Sequence, residues 1–259
     1  MTLRFCSLAS GSRGNALLVE SADTLLLIDC GVTYRTLEER MLAVERSPRD
    51  ITAVLVTHEH SDHVAGLGPL LRRIERPLWA THGTAKSFAK SLGEARAHDY
   101  REVRYGAAFS IGGIDVCPFP VPHDAREPAH YRFAANGTTL GVLTDTGHVS
   151  SHVAETLCGV DALAVEFNHD LDSLNCGPYP AQLKARVGSN LGHLNNHQAA
   201  GLVEGLDHDR LRWVVALHMS EQNNSALHVD TSMAAVRERA RFDFWMATQG
   251  TPTGWFEIS

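Results

Sequence analysis

The chain has little that would tie it to a membrane, an oxidising compartment or a nucleotide-binding loop. Its longest apolar run falls well short of the ~18 residues that a membrane-spanning helix needs, and its first residues lack the apolar core of a secretory leader. Only five cysteines occur in 259 residues, scattered and never as CxxC, which excludes a disulfide scaffold and suits a reducing compartment. These absences read as a soluble, cytoplasmic protein with no membrane partner. Positive charge is also short: 23 Lys and Arg face 30 Asp and Glu, a net charge of -7, so the molecule as a whole exerts no pull on phosphate backbones or anionic lipid. Any polyanion must be met locally. The turn Ser10-Gly11-Ser12-Arg13-Gly14-Asn15 lacks the Gly-Lys-Ser/Thr of a P-loop. On composition it reads as a hairpin turn, although its backbone N–H groups and Arg13 suit an anion. No linker and no internal repeat interrupts residues 1–259, and 44% hydrophobic residues supply the core of a single domain.

What the chain does have is histidine, placed where apolar runs stop. Residues 51–56 read as a buried strand and deliver Thr57-His58-Glu59-His60-Ser61-Asp62-His63. In an extended segment His58 and His60 project to the same side and can share one ion. Ser61 and Asp62 read as helix N-caps before Val64, Leu67, Leu70, Leu71 and Ile74, which recur at helical spacing. That turn lets Asp62 and His63 face a second ion. Imidazole with carboxylate favours zinc or a similar divalent transition metal. A solvated loop would be the better reading of one histidine; for HxHxDH after a buried strand, metal is.

The same grammar recurs. Strands at 24–28, 114–121, 139–143, 161–167 and 213–217 run into Asp29-Cys30-Gly31, Pro122-His123-Asp124, Thr144-Asp145-Thr146-Gly147, Asn168-His169-Asp170 and His218. A polar group at the end of an apolar strand is costly without partners, and strand ends on one sheet edge can converge in one cleft. Helices are read over 33–46, 84–92, 195–206 and 231–240, the last capped by Asp230; further strands are read at 3–9, 16–20, 77–80, 242–246 and 255–258. His82, His98, His130, His197 and His208 read as surface residues, Cys30 as a small buried one, and His148 and His152 stay unassigned. Lys86, Lys90, Arg96, Arg101 and Arg104 form a mildly basic region, a solvated face unless it rims the metal cleft.

HxHxDH, the lone His123, Asp145 in its Thr-Asp-Thr-Gly setting and His218 together resemble the signature of the metallo-β-lactamase superfamily of dinuclear metal hydrolases. The segments SGSRGN, VPHDAREPAHYRF, NHD, GPYP, LK, GHLNN and HMSEQNN are similar in detail to one bacterial subfamily, called WalJ or YycJ. His130 stands where that pattern has glycine, Asn195 where it has serine and Met219 where it has leucine. The resemblance implies an α/β fold, a four-layer αββα sandwich of two mixed sheets flanked by helices. It implies two divalent ions, zinc first and manganese or iron as alternatives: one on His58, His60, His123 and Asp145, the other on Asp62, His63, Asp145 and His218. Asp29 is implied to brace the metal loop from behind, and Asp62, Asp145 and His193 to be catalytic, His193 protonating the leaving oxygen. Ser12, Arg13, Asn15, His169, Lys184 and Asn195 fall in the subfamily's motifs and are taken as substrate-binding.

A water shared by two such ions is acidified toward neutrality, so a metal-bridging hydroxide is the expected nucleophile. Aspartate at 145, where zinc β-lactamases typically carry cysteine, argues against antibiotic hydrolysis. The resemblance implies a phosphodiesterase, an exonuclease on single-stranded DNA or DNA ends, with nucleic acid as partner; the oligomeric state stays open. The alternatives are a carboxylic ester, thioester or lactone hydrolase on the same scaffold, and a non-catalytic nucleic-acid or metal-sensing binding protein. A full set of seven ligand positions argues against the last.

Overall fold

The computed structural model describes residues 2–92, 99–206, 209–239 and 241–258. His98 and His208, together with Arg96 and the end of the expected last helix at Ala240, lie outside the described residues. In chain order the strands are β1 (Leu3–Ala9), β2 (Ala16–Ser21), β3 (Thr24–Ile28), β4 (Ala53–Leu55), β5 (Leu78–Ala80), β6 (Tyr100–Glu102), β7 (Phe109–Ile111), β8 (Ile114–Pro120), β9 (Ala129–Ala135), β10 (Thr138–Leu143), β11 (Ala162–Glu166), β12 (Trp213–Leu217), β13 (Asp243–Met246) and β14 (Phe256–Ile258). They form two seven-stranded sheets, ordered β14-β1-β2-β3-β4-β5-β6 and β13-β12-β11-β10-β9-β8-β7.

Both sheets are mixed, with β3 to β6 parallel in one and β10 to β13 parallel in the other. Strands β3, β4 and β11 are buried along their whole length, as expected where both faces of a parallel region are covered. The core therefore falls into three apolar layers. Phe5, Leu26, Tyr131, Phe133 and Val215 pack between the sheets. Outside the first sheet, Leu27 and Val54 meet helices α1 (Tyr34–Ala43), α2 (Ser61–Val64), α3 (Leu67–Leu71) and α4 (His82–Leu92). Outside the second, Leu163 and Val214 meet α5 (Ser151–Leu157), α8 (Asn196–Gly205) and α9 (Ala226–Arg239). Helix, sheet, sheet, helix is the four-layer sandwich the resemblance implied. Each fully buried large side chain contributes roughly 1.5–3 kcal/mol, so the layers, rather than the polar loops, hold the strand ends in place. The two remaining helices, α6 (Leu171–Cys176) and α7 (Ala181–Val187), lie in the long β11–β12 connection, and α7 buries none of its residues.

Several local expectations need correction. The apolar pattern from Val64 to Ile74 is not one helix but α2 and α3, broken at Gly66, where a Cβ would sit 1.8 Å from the Val32 carbonyl oxygen. The cap of α2 is His60, not Ser61 or Asp62, which leaves the Asp62 carboxylate free of capping. Helix α9 starts at Ala226, ahead of Asp230, which pairs with Arg237 instead. His130 is not on the surface: it is fully buried, and its Nδ1 accepts from the Thr144 N–H at 3.1 Å. His82 and His197 are exposed and Cys30 is buried, as read from the sequence.

Candidate metal centre

The C-terminal ends of β4, β8, β10 and β12 open on one edge of the sandwich, and each delivers a residue of the expected ligand set there. Two groups of donors result. His58, His60 and His123 form one; Asp62, His63, Asp145 and His218 form the other, with ligand atoms within 4.8 Å of one another in each. Asp145 sits with the second group.

Hydrogen bonds behind the rings decide which atoms face inward. The Thr57 hydroxyl donates to Asp29 Oδ2 at 2.7 Å, so its oxygen accepts from His58 Nδ1 at 3.0 Å. His123 Nδ1 donates to the Gly192 carbonyl at 3.0 Å, and His63 Nδ1 donates to Asp29 Oδ2 at 2.7 Å. Each anchored Nδ1 turns its Nε2 toward the cluster, the usual arrangement behind metal-bound imidazoles. Asp29 also accepts from the Thr57 N–H at 2.8 Å, and it holds a left-handed backbone with φ 61°. His218, at φ 51°, is strained in the same way, its N–H held by Ser10 Oγ at 2.7 Å. Asn15 Nδ2 lies 3.4 Å from Asp62 Oδ2 and 3.2 Å from His63 Nε2.

The inward atoms are short of partners in a way that fits a divalent cation. His60 Nδ1 faces His58 Nε2 at 3.0 Å and His123 Nε2 at 3.2 Å, and at most one proton is available to the three nitrogens. Asp145 Oδ2 is buried without a well-formed hydrogen bond among the described residues. In the second group His63 Nε2 lies 3.2 Å from Asp145 Oδ2, and His218 Nε2 lies 3.2 Å from Asp62 Oδ2. Burial holds His58 well down and His123 down to about 4, leaving both neutral and able to ligate. His63 runs the other way: burial lowers it, but Asp145 and Asp29 outweigh that and push it well up. The carboxylates that hold this proton are the groups that would attract a cation in its place. Imidazole nitrogens with carboxylate oxygens suit a divalent transition metal.

One part of the site is not evident from the motifs. Glu166, the last residue of β11, is fully buried and receives the Thr146 N–H at 2.6 Å and the Leu194 N–H at 3.3 Å on Oε1. Its Oε2 lies 3.1 Å from His193 Nδ1. Burial first, and the charge of Asp145 second, push Glu166 well up, while burial brings His193 down to about 4. Its signal in the sequence is weaker than that of Asp29: a carboxylate inside an apolar run that Phe167 carries one residue further.

The expected substrate-binding residues divide. Ser12, with His60, Asp62, Asp145, His193 and His218, lines a cleft of about 280 Å³ over the two donor groups. Asn15 lies beneath it on Asp62 and His63. Arg13 is paired with Glu221 at 2.7 Å, and Lys184 donates to the Asn175 carbonyl at 2.7 Å; neither lines the cleft. Asn195 caps α8 by accepting from the Gln198 N–H at 2.9 Å, and His169 is buried beside Asn168. The cation in the cleft wall is Arg186, bonded through Nε to Asp124 Oδ2 at 2.5 Å. Arg101 and Arg104 pair with Asp99 and Glu102 and do not rim the cleft.

An αββα sandwich with paired histidine and aspartate donor groups at its strand ends defines a metal-dependent hydrolase. The chain belongs to the beta-lactamase superfamily, whose domain model matches residues 24–219. It is 35% identical over 242 residues to exodeoxyribonuclease YycJ of Bacillus anthracis, covering 93% of this chain and 92% of that one. Exodeoxyribonuclease WalJ of Streptococcus pneumoniae is 35% identical over 223 residues, 85% of this chain and 83% of the relative. Among solved structures, the metallo-beta-lactamase fold protein YhfI of Bacillus subtilis superposes with a TM-score of 0.75 at 15% identity, covering 99% of this chain and 100% of that chain.

Proposed function

We propose that this chain is an exodeoxyribonuclease that holds two divalent ions, zinc first, and removes nucleotides from single-stranded DNA or DNA ends. The observation that carries this reading is that one cleft is lined by His60 from the first donor group, by Asp62, Asp145 and His218 from the second, and by His193, with Glu166 buried behind it. His58, His60 and His123 would hold one ion and Asp62, His63 and His218 the other, with Asp145 shared between them. Bound there, the ions would supply an acidified water and neutralise charge developing on the phosphoryl oxygens.

The chain's own groups supply the proton for the leaving oxygen. Burial pushes Glu166 up and His193 down, so in this reading Glu166 Oε2 holds the proton between them, donates to His193 Nδ1 3.1 Å away, and leaves His193 its own proton on Nε2. Nε2–H, on the side of the ring that borders the cleft, protonates the leaving oxygen as the P–O bond breaks. The Glu166 proton passes to Nδ1 in the same event, and the imidazole stays neutral throughout. The cleft wall also speaks against an acyl substrate: Leu183 and Val187 are its aliphatic residues among acids, imidazoles and Arg186. The two exodeoxyribonuclease relatives support DNA as the ester cut.

The test offers metal-loaded protein end-labelled single- and double-stranded DNA and RNA beside a thioester and a lactone. A ladder of DNA products shortening from one end is expected. Turnover of the thioester or lactone with intact oligonucleotides would overturn the reading.

A further inference from the structure

One wall of the cleft has the chemistry of a nucleotide subsite, an inference that rests on the nuclease reading. We propose that Tyr179 stacks on the base of an unpaired terminal nucleotide while Arg186 takes its phosphate. Tyr179, Leu183, Arg186 and Val187 all line the cleft. Leu183, Arg186 and Val187 share one face of α7, Tyr179 stands just ahead of its cap, and α7 buries none of its residues. This element therefore serves the cleft rather than the core.

Tyr179 is set apart from the chain's four other tyrosines. The hydroxyls of Tyr34, Tyr100, Tyr105 and Tyr131 donate to Glu38 and to the carbonyls of Ala80, Pro128 and Val56. Tyr179 is partly buried and has no hydrogen-bond or ring partner among the described residues. Prolines stand on both sides of it. Pro180, at φ -57°, caps α7 and restricts the residue before it to extended backbone. The backbone that carries the ring is restricted in advance, and a tyrosine has few side-chain torsions to fix, so little conformational entropy is lost when a base stacks on it.

Among the described residues, Arg186 is the one lysine or arginine lining the cleft. Its present partner is a carboxylate bonded through Nε, and a phosphate suits the same planar fork in bidentate fashion. Inside a duplex both faces of a base are covered by neighbours. Only an unpaired base presents a face to Tyr179, and every base has such a face, so the subsite selects single-stranded ends without reading sequence.

The experiment measures kcat and KM of the metal-loaded protein on a single-stranded oligonucleotide with either a normal or an abasic terminal nucleotide. Tyr179→Ala is expected to raise KM about tenfold on the normal substrate and to leave the abasic one as the parent protein has it. Tyr179→Phe should restore most of the loss. Arg186→Gln should raise KM on both substrates and lower the slope of log KM against log salt by about one. An unchanged KM in Tyr179→Ala, an equal rise on both substrates, or loss of metal from that variant overturns the subsite. A parent protein that cuts no oligonucleotide overturns both the subsite and the nuclease reading; one that cuts while Tyr179→Ala matches it overturns the subsite alone.

Discussion

At Asp29 a single oxygen settles two ring orientations. Oδ2 accepts from Thr57 Oγ1, which fixes His58, and from His63 Nδ1. Asp29→Asn keeps the left-handed backbone, which asparagine tolerates, and can keep the Thr57 N–H bond, but it puts an amide donor against two other donors. Metal affinity is expected to fall about 10- to 100-fold with the fold intact, measured by competition with a chelator. Unchanged affinity would mean the rings orient without it. Glu166 is tested in the same way. Glu166→Gln and His193→Ala should each slow phosphodiester cleavage about 10²- to 10³-fold while the metal content stays at the parent's level. Because they act as one relay, the double variant should be no slower than the worse single one. Additive losses would separate the two residues.

The close approach of α2 to the β3 end sets the metal loop in place at the scale of elements. The Asp62 carbonyl accepts from the Asn15 N–H at 2.7 Å, the His63 carbonyl from the Cys30 N–H at 2.8 Å, and a Cβ on Gly31 would meet the Asp62 oxygen at 1.7 Å. Gly31→Ala must therefore push α2 away. It should cost about 2 kcal/mol and loosen metal together with Tm, whereas Gly250→Ala, with nothing within 4 Å, should change neither. Equal melting and metal content in both variants would remove the packing argument. This scale also explains what could be read from the sequence. An apolar run ending in His or Asp announces itself, and β1, β3 and β12 have the bounds read for them. Glu166 was hidden because Phe167 continues the apolar run past it. The resemblance points to Lys184 through the Leu-Lys motif and passes over Arg186, and since α7 buries no residue the sequence has no apolar stripe that would show which of the two faces inward. Two positions apart on a helix is about 200° around the axis, so when Arg186 faces the cleft Lys184 points away. Edge strand β6 is exposed throughout and β7 has only three residues, so neither carries enough alternation to be seen.

Across the whole molecule, neither donor group belongs to one sheet. His58 and His60 follow β4 of the first sheet, while His123 follows β8 of the second; Asp62 and His63 follow β4, while Asp145 and His218 follow β10 and β12. A cation in either group ties the two halves of the sandwich together, and the unfolded chain, with these residues far apart in sequence, has no equivalent site. Binding energy then appears as folding stability, about 2.7 kcal/mol for each site at a hundredfold excess of free ion over Kd. Without the ion the cost runs the other way: three facing imidazoles share too few protons, and the buried Asp145 Oδ2 has His63 Nε2 at 3.2 Å, without a well-formed hydrogen bond, in place of a cation. Removing metal with a chelator should therefore lower Tm by several degrees, and added zinc should restore it in proportion to the logarithm of its free concentration. His123→Ala should blunt that response by disabling one group and sparing the other. A Tm indifferent to chelation, in protein shown by elemental analysis to have lost its metal, would mean that packing between the sheets alone brings the strand ends together.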